Sequence, residues 1–286
     1  DLYLYHGDYE NAAQAYYDLM YAEFLLLTDQ VRTWWEVGDN NSFTGESSST
    51  WLSAFRARNS EGGELISYIA GSKEYGSHSA LDSLFYYNYE LMPSELAMDY
   101  WATQTYYHSA AISKQGDARG DWSAYDGIFY MGQGSGSQQR VINYKNRYLS
   151  EEKTWVVPVY RVGLLYLRYA EAVNRAGKPA LAFAVLKTGV SAAVLSNNSI
   201  VPLSEKTPLA PYMDFTRDRF NAFAASNTVN TRGVHSRGSG NVHNVAAYNI
   251  ASQPDWTQQD SIIYVEDLII KELFPNANII IDRFHL

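Results

Sequence analysis

Residues 158–189 read PVYRVGLLYLRYAEAVNRAGKPALAFAVLKTG, and the reading of this run governs the rest of the chain. Val162, Leu165, Tyr166, Tyr169, Ala172, Val173 and Ala176 recur at i, i+3, i+4, i+7, i+10, i+11 and i+14, one continuous apolar stripe on an α-helix. Leu164 and Leu167 widen the stripe and leave a narrow polar face of Arg168, Glu171 and Arg175, so the spacing predicts a core helix. Gly177 stands where a left-handed residue ends a helix, and Pro179 where a first-turn proline opens the next. The pair is therefore a predicted helical hairpin. Its second arm runs from Pro179 to about Lys187, buries Leu181, Phe183, Ala184 and Val185, and stops at Gly189. Glu171 lies three residues after Arg168 and four before Arg175, within reach of both; on an exposed helix such pairs contribute about 0.2–0.5 kcal/mol each.

The run from Val157 to Val190 resembles a segment of the SusD/RagB family of bacterial surface lipoproteins, whose members carry an Arg-Tyr-Ala-Glu-type helix followed by Asn-Arg-Ala-Gly-Lys. Here these stand at Arg168–Glu171 and Asn174–Lys178. Further positions match in the same way. Asn59-Ser60-Glu61 resembles the turn before a short strand, expected over 61–69, and Leu91-Met92-Pro93-Ser94 resembles a helix-capping turn. Asp117-x-Arg119 resembles an Asp-x-Arg element, Lys145 with Tyr148 a Lys-Tyr strand, and Arg232–Val242 a glycine-rich turn, whose glycines are expected to supply positive φ angles. Relatives continue from an Asp-x-Ile-x-x-Glu helix through Phe-Glu-Gly-x-Arg-Phe-x-Asp-Leu. This chain departs there: it reads Phe274-Pro275-Asn276-Ala277-Asn278 before Arg283-Phe284-His285, and Pro275 is expected to interrupt the helix.

The resemblance implies a mainly α fold, with tetratricopeptide-like helical hairpins, a loop-rich irregular ligand-binding region and a few short strands. It implies one domain over 1–286, with a helical scaffold mainly in 1–32, 155–190 and 260–274 and a ligand face mainly in 33–150 and 191–259. It also implies capture of an oligosaccharide, or of a peptide as in the RagB branch, for a SusC-like TonB-dependent transporter. The location implied is the cell surface of the outer membrane, through a lipid anchor on a cysteine outside this chain. Family chains are longer, with further helix pairs at the amino end, so a partial chain is expected.

Read from residues alone, 1–27 is a helix or a close helix pair, with Asn11 as cap and Ala12, Ala15, Tyr16, Leu19, Met20 and Leu27 at helical spacing. Ser94 is a good N-cap, and Leu96 begins an apolar periodicity through Tyr100. Ile262, Ile263, Val265, Leu268, Ile269 and Leu273 predict a helix over 260–273. Between these helices the chemistry is that of loops. Trp34, Trp35, Phe43, Trp51 and Phe55 are interleaved with Gly38, Asp39, Asn40, Asn41 and the run Ser47–Thr50. Gly132-Gln133-Gly134-Ser135-Gly136 neither follows an apolar strand nor opens an apolar helix, so it reads as a loop and not as a phosphate cradle.

The 286 residues carry a net charge of −9 without a Lys/Arg block, which argues against a nucleic-acid surface or a polybasic membrane patch. No cysteine is present, which excludes a disulfide framework, a cysteine zinc site and a thiol nucleophile. The six histidines form no His-Glu-x-x-His or other i, i+4 pair; His235 and His243 share one glycine-rich loop and read as an exposed pair. Neither a Gly-x-Ser-x-Gly elbow nor a twelve-residue calcium loop occurs, so no cofactor and no metal are expected, with calcium on the abundant loop oxygens of 117–126 left as a weak further option.

Tyrosine is abundant, at 24 residues, and suits a surface that must be both apolar and hydrogen-bonding. Aromatic rings stack on the C–H faces of a pyranose while polar side chains bond its hydroxyls, and such a site needs display and rigidity more than a tuned pKa. The candidates are Trp34, Trp35 and Trp51 in the first aromatic stretch and Trp122, Tyr125 and Tyr130 in the second, with Arg119 or Asp121 as polar partners. Binding without catalysis is the favoured reading. The competing readings are a glycoside hydrolase using two of Asp117, Asp121 and Asp126, and a scaffold that binds only other proteins.

Overall fold

The structure is a computed structural model that describes residues 1–23, 25, 27, 34–37, 43–47, 65–72, 74, 76, 93–109, 111–117, 119, 125–130, 137–142, 154–221, 233–238 and 257–276. The chain is mainly α, with short antiparallel strand pairs inserted between the first and the central helices. Among the described residues no helix is long and apolar enough to cross a membrane.

The centre is the predicted hairpin, α4 (Val162–Arg175) and α5 (Pro179–Lys187). Every residue from Val162 to Asn174 is buried, including the expected polar face, so α4 is enclosed on all sides. Gly177 turns the chain at φ +81, Pro179 opens α5 and Gly189 closes it at φ +78, as the sequence pattern predicts. Phe183, expected inside, is half-buried, with the Lys187 ammonium 5.5 Å from its ring centroid. The carboxylate of Glu205 accepts from the amides of Ala180 (2.8 Å) and Leu181 (3.0 Å), supplying the missing partners at the start of α5 from 25 residues downstream.

Two more helices pack on α4. One is α2 (Tyr9–Ala22), reached from the short α1 (Leu2–Tyr5). Its buried face is Ala12, Ala13, Tyr16, Tyr17 and Met20: Ala12, Tyr16 and Met20 are as predicted, whereas Ala15 is exposed and Leu19 half-buried, so the face is rotated toward Ala13 and Tyr17. Asn11 lies inside the helix, which starts at Tyr9 and ends at Ala22 instead of running to Leu27. The Arg219 guanidinium explains the end: it donates to the carbonyls of Tyr21 (2.9 Å) and Ala22. The other helix is α8 (Gln258–Asn276), longer than predicted. Its entry is a reciprocal cap in which the Thr257 amide donates to Asp260 (2.8 Å) and the Asp260 amide donates to the Thr257 hydroxyl (3.2 Å). Pro275 falls in the last turn of α8, so the expected interruption does not occur before Asn276.

The connection after α5 was expected to face ligand, but 190–220 is built into the core. It forms α6 (Ala192–Ser196), two 3-10 turns and α7 (Asp218–Asn221), and it buries Val201, Tyr212, Met213, Phe215 and Phe220. Phe215 and Phe220 stack with Tyr17 and with each other at 5.1–5.6 Å between centroids, and the Tyr169 hydroxyl donates to the Tyr212 carbonyl (2.8 Å). Burial of large rings, more than local pattern, holds this irregular backbone.

The aromatic-rich stretches expected as loops contain paired strands. Strand β1 (Trp34–Val37) pairs with β2 (Phe43–Ser47), β4 (Thr105–Ser109) with β5 (Ile112–Gln115), and β6 (Tyr125–Tyr130) with β7 (Ser137–Ile142). Strand β3 (Leu65–Ser72), close to the strand expected over 61–69, pairs with β8 (Thr154–Arg161), which runs directly into α4. The helix α3 (Glu95–Ala102) follows Ser94 as predicted. The readings for the 132–136 loop and for Lys145 and Tyr148 lie outside the described residues.

Candidate functional site, a buried ionic junction

Five residues from three separate stretches of the chain, 117–119, 235–238 and Glu272, meet in the interior. Arg119, fully enclosed, donates to both oxygens of Asp117 (2.9 and 2.6 Å) and to both oxygens of Glu272 (2.9 and 3.3 Å), a fork held between two carboxylates. The Asp117 carboxylate also accepts from the Arg119 amide at 2.8 Å, which fixes the local turn. The Nδ1 of His235 lies 2.6 Å from the same Glu272, and His235 too is fully enclosed. Gly238 completes the enclosure: a Cβ there would fall 2.3 Å from Asp117 and 2.5 Å from the Arg119 Nε.

Three elements deliver these groups. Glu272 comes from α8, on the same face as Val265, Leu268 and Ile269, one and two turns earlier. His235 comes from a 3-10 turn, Val234–Arg237, that crosses the end of α5 so closely that a Cβ on Gly233 would fall 1.9 Å from the Leu186 carbonyl oxygen. Gly233 and Gly238 have φ of −76 and −107, so positive φ is not what these glycines supply; their small size is. His235, expected to be exposed beside His243, is interior, because its ring is needed against Glu272; His243 lies outside the described residues.

The electrostatics follow from enclosure. Burial alone would push the Glu272 carboxyl up, but Arg119 and then His235 outweigh it and hold it well below the usual carboxylate range. Burial likewise opposes the charge on Arg119, and Asp117 and Glu272 reverse that. Arg119 was expected to meet a ligand on a displayed face; its guanidinium is instead turned inward, with both carboxylates as partners.

A second interior network joins the hairpin to α8. Glu171 bridges Arg168 and Arg175, each at 2.9 Å, as the spacing predicts, but Glu171 and Arg168 are buried, so the small value of an exposed pair does not apply. Arg175 also holds Glu266, the Asn174 amide donates to the Ile262 carbonyl (2.9 Å), and the Gly177 carbonyl accepts from Gln258 (2.7 Å).

Of the other ligand candidates, Trp34 and Trp35 occupy adjacent register positions of β1, opposite Ser47 and Glu46. Tyr125 and Tyr130 are the two ends of β6, opposite Ile142 and Ser137. Trp51, Asp121 and Trp122 lie outside the described residues. Glu272 escaped the sequence reading although a signal existed, a lone carboxylate at i+7 on an apolar stripe. His235 offered no such signal, because its partner is 37 residues away. Among the described residues no group of histidines and carboxylates could hold a metal ion. No family model, no curated protein and no solved structure matches this chain. What the described residues define is a mainly α protein with a buried ionic junction.

Proposed function

We propose that the chain is a SusD/RagB-type nutrient-binding protein of the outer-membrane surface, which captures an oligosaccharide and hands it to a SusC-like TonB-dependent transporter. One observation carries the reading. Several of the described residues on which the resemblance rests, from separate parts of the chain, bond across to one another's elements. Asp117 and Arg119 lie against the glycine-rich turn at Gly238, and Arg119 pairs with Glu272 in a stretch, Asp267-x-Ile269-x-x-Glu272, that has the Asp-x-Ile-x-x-Glu form. Asn174, Arg175, Gly177 and Lys178 each bond across to α8 or to residue 205. Motif residues with such interlocking roles support common scaffold architecture better than chance matches of composition do. On this reading the helix pairs α1/α2 and α4/α5 are the tetratricopeptide-like units.

Binding is preferred to hydrolysis because Asp117, one of three acids available to a glycosidase, is buried and committed to Arg119 at 2.6 Å. On this reading the ligand face comprises Trp34, Trp35, Trp51, Trp122, Tyr125 and Tyr130 with Asp121, and the membrane is reached through a lipid anchor. The test is calorimetric titration of the protein with a panel of oligosaccharides and short peptides, alongside Trp34→Ala and Trp122→Ala. Saturable sugar binding that either variant abolishes is expected. Peptide binding without sugar binding would move the ligand to the peptide class. Silence toward both would overturn the nutrient-binding reading, and sugar turnover lost in Asp121→Asn or Asp126→Asn would replace it with the hydrolase.

A further inference from the structure

Among the described residues, strand β3 is paired along one edge, with β8 in a sheet of two strands. The pairing is regular from Tyr68 to Ser72, and its register shifts lie between Leu65 and Tyr68. Strand β8 runs directly into α4, and Ile66 packs against the apolar cluster, so β3 is carried by the helical scaffold. Between the half-buried ends of the strand, Ser67, Tyr68, Ile69 and Ala70 are all exposed, Tyr68 at 45% and Ile69 at 59%. Successive residues of a strand face opposite sides of a sheet, so these two apolar side chains do not form one surface patch. What they share is the outer edge. A strand edge offers N–H and C=O groups to any further strand, and proteins ordinarily guard it with a charge, a proline or a very short strand. The eight residues of β3, LISYIAGS, contain neither charge nor proline.

We propose that the outer edge of β3 pairs with β3 of a second copy of this chain, antiparallel, about a two-fold axis between Tyr68 and Ile69. The exposed run sets the axis, because its centre falls between these two residues. Each Tyr68 then stands opposite the partner's Ile69, and each Ser67 opposite the partner's Ala70. An aromatic ring beside a β-branched side chain is a favourable cross-strand pair, and the two-fold axis repeats it. Charge agrees with the same register. Continued outward, it brings Glu64 opposite the partner's Lys73, two positions placed here by sequence alone, and over 61–76 it opposes no like charges although the chain carries −9. An uncharged strand gives a foreign peptide nothing to select by charge, whereas a second copy matches it at both ends. The contact is small, so the association is weak and concentration-dependent. It concerns this edge alone and does not rest on the nutrient reading.

Sedimentation equilibrium of the whole chain over a range of concentrations tests it. The wild-type protein is expected to dimerise reversibly. Ile69→Lys, a change at an exposed position, puts a charge on the edge and is expected to raise the dimer dissociation constant about tenfold or more. Glu64→Lys and Lys73→Glu should each weaken the dimer, and the double variant, which restores opposite charges in the same register, should recover it. A chain that stays monomeric at every concentration would overturn the proposal. So would a dimer indifferent to Ile69→Lys, or one that the double exchange leaves as weak as either single variant. The wild type gives a reading free of any variant: amide exchange within 67–70 should slow as concentration rises, and exchange there that ignores concentration would sink the proposal as well.

Discussion

The helix pair α4/α5 and the strand pair β4/β5 are both short antiparallel units, yet they are held in different ways. The helix pair makes its backbone hydrogen bonds within each helix and is sealed by apolar side chains that reach every neighbouring helix. The strand pair bonds residue to residue between its strands, packs on β1, and leads into Arg119, whose guanidinium is held between Asp117 and Glu272. The contrast teaches that buried area and buried charge do separate jobs in this molecule. Area holds the scaffold helices to one another, and charge ties residues 117–119 to α8.

The largest effect that would sharpen this contrast is expected at Leu165, fully enclosed in the first turn of α4. Leu165→Ala should cost about 2–5 kcal/mol of unfolding free energy, measured by denaturant titration, and should lower protection throughout the scaffold. A loss confined to α4 would break the picture of one cooperative cluster. Acid should act on the junction. Because the Glu272 carboxyl in the folded protein titrates below the usual glutamate value of 4.5, its contribution is complete above that pH and is lost as pH falls toward the folded value. Stability followed from pH 7 downward should fall below about pH 4.5, and Glu272→Gln should flatten that part of the curve. An unchanged slope in the variant would place the acid sensitivity elsewhere. The smallest expected effect is Thr257→Ala, which removes one half of the reciprocal cap on α8 and should cost about 1 kcal/mol, read in the same titration.

How far each region could be read from residues follows from where its partners lie. The α4/α5 hairpin was legible because its signals are local: a 3.6-residue stripe, Gly177, Pro179 and Gly189. The start of α8 was nearly so, and its cap is written as Thr257-x-x-Asp260. The stripe of α2 was right at Ala12, Tyr16 and Met20 but its buried face widens toward Tyr17 and not Ala15, because Tyr17 packs against Phe215 and Phe220. Strands β1, β2, β6 and β7 fall in stretches, 33–60 and 116–148, read as loops because their Gly, Ser and Asn carry turn chemistry, and what pairs them is a partner strand outside any short window.

The ligand candidates illustrate the same limit. Arg119 stood next to aromatic residues and looked available; its real partner, Glu272, is 153 residues away. His235 looked exposed for want of an apolar pattern around it, and Gly233 and Gly238 looked like turn-formers when their role is to admit close neighbours. In each case the decisive contact is long-range, and no window of sequence contains both halves of it.

By itself, then, the sequence determined the helical hairpin, its ends, the intrahelical pairing of Glu171 with Arg168 and Arg175, and the absence of any cysteine chemistry, since each depends on residues within a few positions or on composition. Only the tertiary structure decided that this pairing is buried, that residues 190–220 belong to the core, and that Asp117, Arg119, His235 and Glu272 share one enclosed site. The reason is physical: dihedral preference and amphipathic period act over a turn or two of chain, whereas burial and the neutralisation of buried charge depend on which distant segments exclude the same water.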